Sequence, residues 1–480
     1  MKINELIEES ASKPVGRLEV DRLAYDSRDI RPGTLFFCLA GAKTDGHLFV
    51  GEAERLGAVA LVSERDLPAH IPVVRVADTR HALAVAAKRF YGSPSDRLVM
   101  IGVTGTNGKT TTTYIIKSIL DKAGCRTGLI GTNAVMIGEE EREATMTTPD
   151  PVELNRLLAE MEGRGVTHVV MEVSAHALAL NKTDGIVYDV AAFTNFTRDH
   201  LDFFGDMETY KRAKARLFTE GLSKYAVLNV DDAVGFELYN LTTLPKMTYG
   251  CNNPSDVFAV ELSLSEYGIE FVINILDDIQ HIKFALPGRF NMYNVLCAAA
   301  VCRTLNVPVK TIAKGVKALK KVAGRFNVIN AAKASIIIDY AHTDDGLRNI
   351  LGSVREFTRG RVITVFGCGG ERDREKRPLM GRAASELSDV TIVTSDNPRT
   401  EDPAVIIDEI VSGIEKGRRP LYQVPDRRRA IMLALELAEE GDIVVVAGKG
   451  AEKYQDVMGV KQPYNDEQFI QELVKENRIS

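Results

Sequence analysis

From Leu98 onward the chain alternates short apolar runs with amphipathic stretches, and this alternation sets the expected architecture. LVMIGV, VTHVVMEV, YDVAAFTN and YAVLNVD read as strands, and TTTYIIKSILDKAG reads as an amphipathic helix. Apolar strands separated by helices imply a mainly parallel sheet covered by helices. A polar, β-rich stretch follows from 247 to 287, and NMYNVLCAAAVCRTL reads as a helix with small residues along one side. Beyond VAGRFNVIN the alternation resumes as ASIIIDYAH, GRVITVFG, DVTIVTSD and DIVVVAGKG, with helical runs such as KRPLMGRAASEL between them. That is the pattern of a doubly wound sheet, whose ligands bind at the carboxyl ends of the strands. Before Leu98, TLFFCLA, VALVSE and PVVRV are short strands, and HALAVAAKRFYG is a helix leading to the loop SPSD. The expected fold class is α/β in three domains. A small N-terminal α/β domain spans 1–96, a central mainly parallel sheet 97–325, and a C-terminal Rossmann-like doubly wound sheet 326–480.

Composition narrows the class. Hydrophobic residues at 45% and charged residues at 26% fit a soluble globular protein, and no apolar run approaches the roughly 18 residues of a membrane helix. The opening MKINELIEESASKPVG reads as an amphipathic helix running into a loop, without the apolar stretch and cleavage site of a signal peptide. A cytoplasmic location with no membrane partner is expected, and a monomer is the default. Six scattered cysteines without a CxxC pair or zinc-like spacing read as reduced thiols. A net charge of -6 speaks against a nucleic-acid partner. An anionic small substrate needs only local positive charge.

The first candidate site follows the strand LVMIGV, where TGTNGKTTTTYII places glycines and Gly-Lys-Thr at a helix start. Backbone N–H groups of Gly105, Thr106, Asn107, Gly108 and Thr111 can converge on phosphate oxygens at a positive helix end. Lys109 reaches the terminal phosphates, and Thr110 is placed to hold a magnesium ion. The spacing departs from GxxxxGK, which would need glycine at Val103. An ordinary glycine-rich strand–helix turn is the bland alternative.

Four further features lie on loops or element ends. Glu172 ends the strand in MEVSAHAL, where a carboxylate can coordinate a hard cation; alone it would be a cap or a surface partner. His200 follows a strand in NFTRDHLDFFG, and alone would be structural. Lys214, in YKRAKARLF, would by itself be a lysine snorkelling on a solvated face. TTPD at 147–150 reads as the start of a helix with proline in its first turn.

In this order behind GTNGKTT, the strings MEVS, NFTRDHLD and AKARLF resemble the central signature of the Mur ligase family, and the resemblance covers nearly the whole chain. It implies ATP and two magnesium ions, with Thr110 and Glu172 at one ion and His200 at the other. It also implies that Lys214 is carbamylated by carbon dioxide, which turns a cation into a carboxylate-like ligand. Asn291 and Asn294 resemble the adenine-side residues, and Arg325 and Asp339 would complete the ATP site from the domain junction. The catalytic set implied is Lys109, Glu172, His200 and Lys214.

Within the family, DSRDIRPGTLFFCLAGAKTDGHLFV resembles the uridine-diphosphate-binding module of the MurE and MurF branches, with Ser27 near the nucleotide. TTPD favours the MurE branch, in which Thr147, Thr148, Ser174, Lys182 and Lys214 would meet the muramyl dipeptide. DYAHTDDGL, FGCGGERDREKRPLMG, TSDNPRTEDP and AGKGAEKYQ also resemble that branch. They imply an acceptor site at Arg372, Asp396, Asn397, Pro398, Arg399, Gly448 and Glu452. The reaction implied is ATP-dependent addition of meso-2,6-diaminopimelate to UDP-N-acetylmuramoyl-L-alanyl-D-glutamate through an acyl phosphate, in peptidoglycan precursor synthesis. The DNPR form points to diaminopimelate, because Arg399 offers a fork for its extra carboxylate. L-lysine or another diamino acid, another Mur or folylpolyglutamate-type ligase, and a non-catalytic nucleotide-binding scaffold are the alternatives. Departures from the branch pattern stand at Ala175, Leu180, Lys182, Asp344 and Ala451.

Overall fold

The computed structural model describes residues 1–7, 18–41, 44–219, 221–331, 333–415, 417 and 419–475. The described residues form sheets of four, eleven and six strands and one two-stranded hairpin. The helix foreseen at the N-terminus covers Ile3–Leu6, and residues 8–16 of that stretch lie outside the described ones. All six cysteines are free. No described helix is long and apolar enough to cross a membrane.

The first sheet pairs Arg22–Ala24, Thr34–Phe37, Ala58–Ser63 and Val73–Arg75 in sequence order, all parallel. Thr34–Phe37 is buried at every position. Leu35 and Phe37 enter one apolar cluster with Leu83 and Ala87 of the helix Thr79–Phe90, while Phe36 enters another with Val50 and Ala53. A parallel strand covered on both faces reads as a continuous apolar run for this reason.

In the eleven-stranded sheet, Val99–Thr104 lies between Val190–Phe193 and His168–Glu172, parallel to both. Ile115, Ile116, Ile119 and Leu120 of the helix Lys109–Lys122 pack with Val295, Ala298, Ala299 and Cys302 of Arg289–Thr304. The next helix, Val309–Ala318, approaches the same face closely at a glycine: a Cβ on Gly315 would lie 2.4 Å from Ile119 Cα. The β-rich stretch supplies Val257–Ser265, Gly268–Ile275 and Asp278–Phe284, an antiparallel meander that extends this same sheet. The opposite edge, Ala134–Ile137 and Glu140–Glu143, is also antiparallel.

The helix expected from TTPD begins at Pro151, with Asp150 as its N-cap at ψ 157. The first-turn proline is therefore Pro151, and Pro149 precedes the helix. A residue before proline is pushed out of the α region, so Asp150 cannot continue a helix that began at Thr147.

The six-stranded sheet runs Asn327–Asn330, Ala334–Asp339, Asp442–Ala447, Val362–Phe366, Val390–Val393, Leu421–Gln423, and only the first pair is antiparallel. Its polar loops gather at the carboxyl ends of Ala334–Asp339, Asp442–Ala447, Val362–Phe366 and Val390–Val393, facing the glycine-rich loop of the central sheet. Arg427 and Asp466 are fully buried beneath it, joined at 2.7 and 2.8 Å.

Candidate active site

The loop 105–108 joins a buried strand to a helix whose N-cap is Gly108 at φ 85. Two glycines are obligatory here: a Cβ on Gly105 would stand 1.9 Å from Thr194 Oγ1, and one on Gly108 2.4 Å from Asn294 Oδ1. The loop is braced from the neighbouring strand end. Asn107 N donates to Asn195 Oδ1 at 2.8 Å, and Thr194 Oγ1 donates to Asn107 O at 2.6 Å. Lys109 Nζ donates to Thr106 O at 2.8 Å and to Gly105 O at 3.1 Å. Desolvation lowers its pKa, while the charge of Glu172 acts in the opposite sense. Arg325 Nη2 donates to Thr110 Oγ1 at 2.9 Å, and its guanidinium lies 4.5 Å from the centre of the Tyr340 ring. Asp339 accepts from Phe326 N and Ala341 N, both at 2.8 Å.

Thr106 to Thr111, Arg325 and Asp339 line a cavity of about 860 Å³ together with Glu172, Ser174, His200 and Asn294, while Gly105 stands outside the lining. Asn291 does not line it. Its amide donates to Pro287 O at 2.6 Å and its oxygen accepts from Asn294 at 2.9 Å, so it orients Asn294 from behind.

Glu172 is 0% exposed. Its carboxylate accepts from Thr132 N at 2.8 Å and Thr132 Oγ1 at 3.1 Å, and no basic side chain pairs with it among the described residues. A buried carboxylate with no directly paired cation, lining one cavity with Thr110 and His200, suits a hard divalent ion. Among the described residues no three His, Cys, Asp or Glu side chains form a metal cluster. The expected ions would rest instead on Thr110, Glu172, His200 and Lys214, a set with only two such side chains.

Lys214 is not on a solvated face. It is 2% exposed, its Nζ donates to Gly105 O at 2.7 Å, and it sits 4.5 Å from the centre of the Tyr210 ring. Desolvation, followed by the charge of Lys109, depresses its pKa well below the usual lysine value. His200 is held at φ 57, and desolvation lowers its pKa to about 3, leaving a neutral ring.

Asp199 is a site residue that the sequence did not single out. Its carboxylate lies 3.2 Å from His200 Nε2, 3.5 Å from His342 Nε2 and 3.7 Å from Lys376 Nζ. Burial raises its pKa, but the hydrogen bond from His342 and the nearby charges outweigh it and hold the carboxyl well below its usual range. His342 and Lys376 belong to the six-stranded part, so this carboxylate pins the two sheets together. Asn107 Nδ2 makes a second such link, donating to Asp345 Oδ2 at 2.8 Å.

Two more cavities adjoin the first. One, about 580 Å³, is lined by Ser27, Tyr25, Phe36, Arg80, Asp150 and Lys182. Lys182 lines both this cavity and the central one, and it is tied to Asp150 at 2.7 Å. Nearby, Thr147 Oγ1 lies 3.0 Å from Thr132 Oγ1, and Thr148 Oγ1 donates to Glu172 O at 2.9 Å beside Ser174.

The other, about 430 Å³, is lined by Arg372, Asp396, Asn397, Arg399, Gly448 and Glu452, and also by Thr147, Asp199, His200 and His342. Pro398 stands outside this lining, behind the loop. Asp396 Oδ2 is buried without a hydrogen-bond partner among the described residues. Asn397 Nδ2 donates to Glu452 Oε2 at 2.9 Å, and Arg399 Nη1 donates to Gly370 O. Lys449, which nothing in AGKGAEKYQ marks as a site residue, is 0% exposed and also lines this cavity. His342 and Lys449 both lay within strings already singled out, and their neighbouring motif residues were the only signal for them.

A glycine-rich loop facing the strand ends of a second sheet, with a further cavity on either side, is an arrangement suited to a nucleotide-driven ligase. Family comparison agrees: residues 103–302 match the Mur ligase middle domain, 324–450 the Mur ligase glutamate ligase domain and 19–91 the catalytic domain of the Mur ligase family. The chain belongs to the Mur ligase family and is an ATP-dependent amide ligase. A relative from Geobacillus thermodenitrificans, named UDP-N-acetylmuramoyl-L-alanyl-D-glutamate--2,6-diaminopimelate ligase, is 44% identical over 96% of both chains. One of the same name from Clostridium botulinum is 42% identical over 95% of this chain and 96% of its own. A solved structure of a ligase of that name superposes with a TM-score of 0.71 at 31% identity, covering 100% of both chains. A MurF ligase of Thermotoga maritima in complex with ADP shares the fold, with a TM-score of 0.64 at 21% identity over 96% of this chain and 98% of its own.

Proposed function

We propose that this ligase joins meso-2,6-diaminopimelate to UDP-N-acetylmuramoyl-L-alanyl-D-glutamate with cleavage of ATP, and that its units divide near residues 96 and 325. The observation that carries the reading is the arrangement of cavities. The central phosphate cavity shares Lys182 with one neighbour and Thr147, Asp199, His200 and His342 with the other. A uridine nucleotide held near Ser27 would thus extend its peptide past Lys182 towards Lys109. An amino acid in the third cavity would meet it from the opposite side.

A carboxylate is a poor electrophile, so its oxygen first attacks the γ-phosphorus of ATP, giving an acyl phosphate and ADP. The acceptor amine then attacks the acyl carbon, phosphate leaves with the C–O bond electrons, and the nitrogen loses a proton. The loop 105–111 holds the phosphates, and Lys109 and Arg325 offset the charge that builds on the transferring group. Asn294 bounds the nucleotide end. When bound, magnesium at Thr110, Glu172 and His200 would supply further charge neutralisation. The depressed pKa of Lys214 favours the neutral amine, the form that adds to carbon dioxide with loss of a proton. The carbamate so formed replaces a cation that would repel a metal ion.

The test is ADP release measured with the muramyl dipeptide nucleotide, the amino acid, or both. Release is expected only with both present. Equal turnover with and without the dipeptide nucleotide would leave a simple ATPase and reject the reading.

A further inference from the structure

The acceptor cavity contains a buried cation to which the mechanism above gives no part. Lys449 follows the strand Asp442–Ala447, and its side chain is 0% exposed. Its Nζ lies 2.7 Å from Glu452 Oε2 and 2.9 Å from Asn397 Oδ1. Asn397 in turn donates to the same Glu452 Oε2 at 2.9 Å, and its Oδ1 also accepts from Asp456 N at 2.9 Å. The three side chains close a ring in which Glu452 Oε2 takes two donors. Glu452 Oε1 makes no described hydrogen bond and is the oxygen left for a ligand, and Glu452 lines the cavity.

A glutamate on a loop loses rotamer freedom whenever it is ordered. If that ordering occurred on binding, it would weaken affinity for the acceptor. Lys449 removes the cost beforehand, because a fully buried ammonium held by both Glu452 and Asn397 fixes their geometry even though Glu452 is 24% exposed. It also offsets the negative charge that Glu452 and Asp396 place together in one pocket.

We propose that Lys449 is a positioning residue for acceptor recognition: it locks Glu452 and Asn397 in the orientation that receives the distal amino group of a diamino acid. This rests on the diamino-acid reading above. Lys449 need not touch the substrate.

The test is steady-state kinetics of Lys449→Met, Glu452→Gln and the double variant, with each substrate varied in turn. Lys449→Met is expected to raise the KM for meso-diaminopimelate about tenfold or more while changing kcat and the KM for ATP less than threefold. In the Glu452→Gln background it should add less than twofold, since the group it orients has already been altered. Lys449→Arg, which keeps the charge, should recover part of the loss. An unchanged acceptor KM, a parallel rise in every KM, or independent multiplication of the two single effects would each overturn the proposal. If the methionine variant does not fold, Lys449→Gln is judged by the same criteria. A wild type that does not use diaminopimelate overturns the acceptor reading and this inference with it, whereas an active wild type with indifferent variants overturns this inference alone.

Discussion

Replacing Arg399 by alanine should abolish the choice between meso-diaminopimelate and L-lysine. The two acceptors differ by one carboxylate at the far end of the side chain, so selectivity requires a group that gains from that carboxylate alone. Arg399 stands on the acceptor cavity wall. Its backbone is fixed at φ 52, with its N donating to Asp456 O at 3.0 Å and its carbonyl accepting from Met458 N at 2.7 Å. Nη1 is steadied by Gly370 O, and no acidic side chain among the described residues pairs with the guanidinium. Of five N–H donors, the fork therefore keeps most for a ligand. Two charge-assisted hydrogen bonds at about 1.5–3 kcal/mol each, less some residual solvation, leave about 4 kcal/mol, or about 10³-fold in specificity. The assay is kcat/KM for each acceptor by coupled ADP release, in wild type and Arg399→Ala. Wild type should prefer diaminopimelate by about 10³-fold, and the variant should lose this through the diaminopimelate value while lysine use changes little. Equal use of both by wild type, or an unaltered preference in the variant, would show that the fork does not select the acceptor.

Lys214→Ala should reduce turnover by at least about 10²-fold, as expected when a ligand of the magnesium that would neutralise the transferring phosphoryl is removed. A short carboxylic acid should partly restore it, and wild-type activity without additives would reject the carbamate. Because the Lys214 pKa is depressed, its amine is neutral above that lowered pKa and open to carbon dioxide; wild-type enzyme in CO2-stripped buffer should therefore lose rate and regain it with bicarbonate. Asp466→Asn leaves the Arg427 guanidinium buried without its charge partner. The expected loss is about 3–5 kcal/mol, read as a fall of roughly 10 °C in thermal midpoint, and an unchanged midpoint would refute it.

The parts of this molecule that could be read from the chain are those whose meaning is local. Gly108, Lys109 and Thr110 between an apolar run and a helix already specify a phosphate loop. The fully apolar strands of the central and third sheets identify themselves because both faces are covered. Glu140–Glu143 did not, since four charged residues on an exposed edge carry no apolar alternation. Lys214 taken alone points to a solvated face, for a different reason. Burial is a tertiary property, and AKARLF does not reveal that Gly105 and Tyr210 close over the lysine. Asp199 was passed over because the groups that give it meaning come from positions 200, 342 and 376. The family resemblance supplied what local pattern could not, except where this chain departs. At Lys182 the structure provides the local account, a lysine anchored to Asp150 at the seam of two cavities.

The acceptor cavity is walled by Thr145, Thr147 and Asp199 from one sheet's loops and by Arg399, Lys449 and Glu452 from the other's. Neither half alone is a receptor. A molecule seated there bridges the seam and favours the juxtaposed arrangement of the two halves, the arrangement in which Arg325 and Asn107 join the phosphate loop to the third sheet. Thermodynamic reciprocity then predicts a coupling of the two occupants: whatever lodges in the acceptor cavity should tighten nucleotide binding by the same factor that nucleotide tightens its own. An inhibitor aimed at this cavity would thus gain potency in cells rich in ATP, and its affinity measured on an excised third domain would underestimate it.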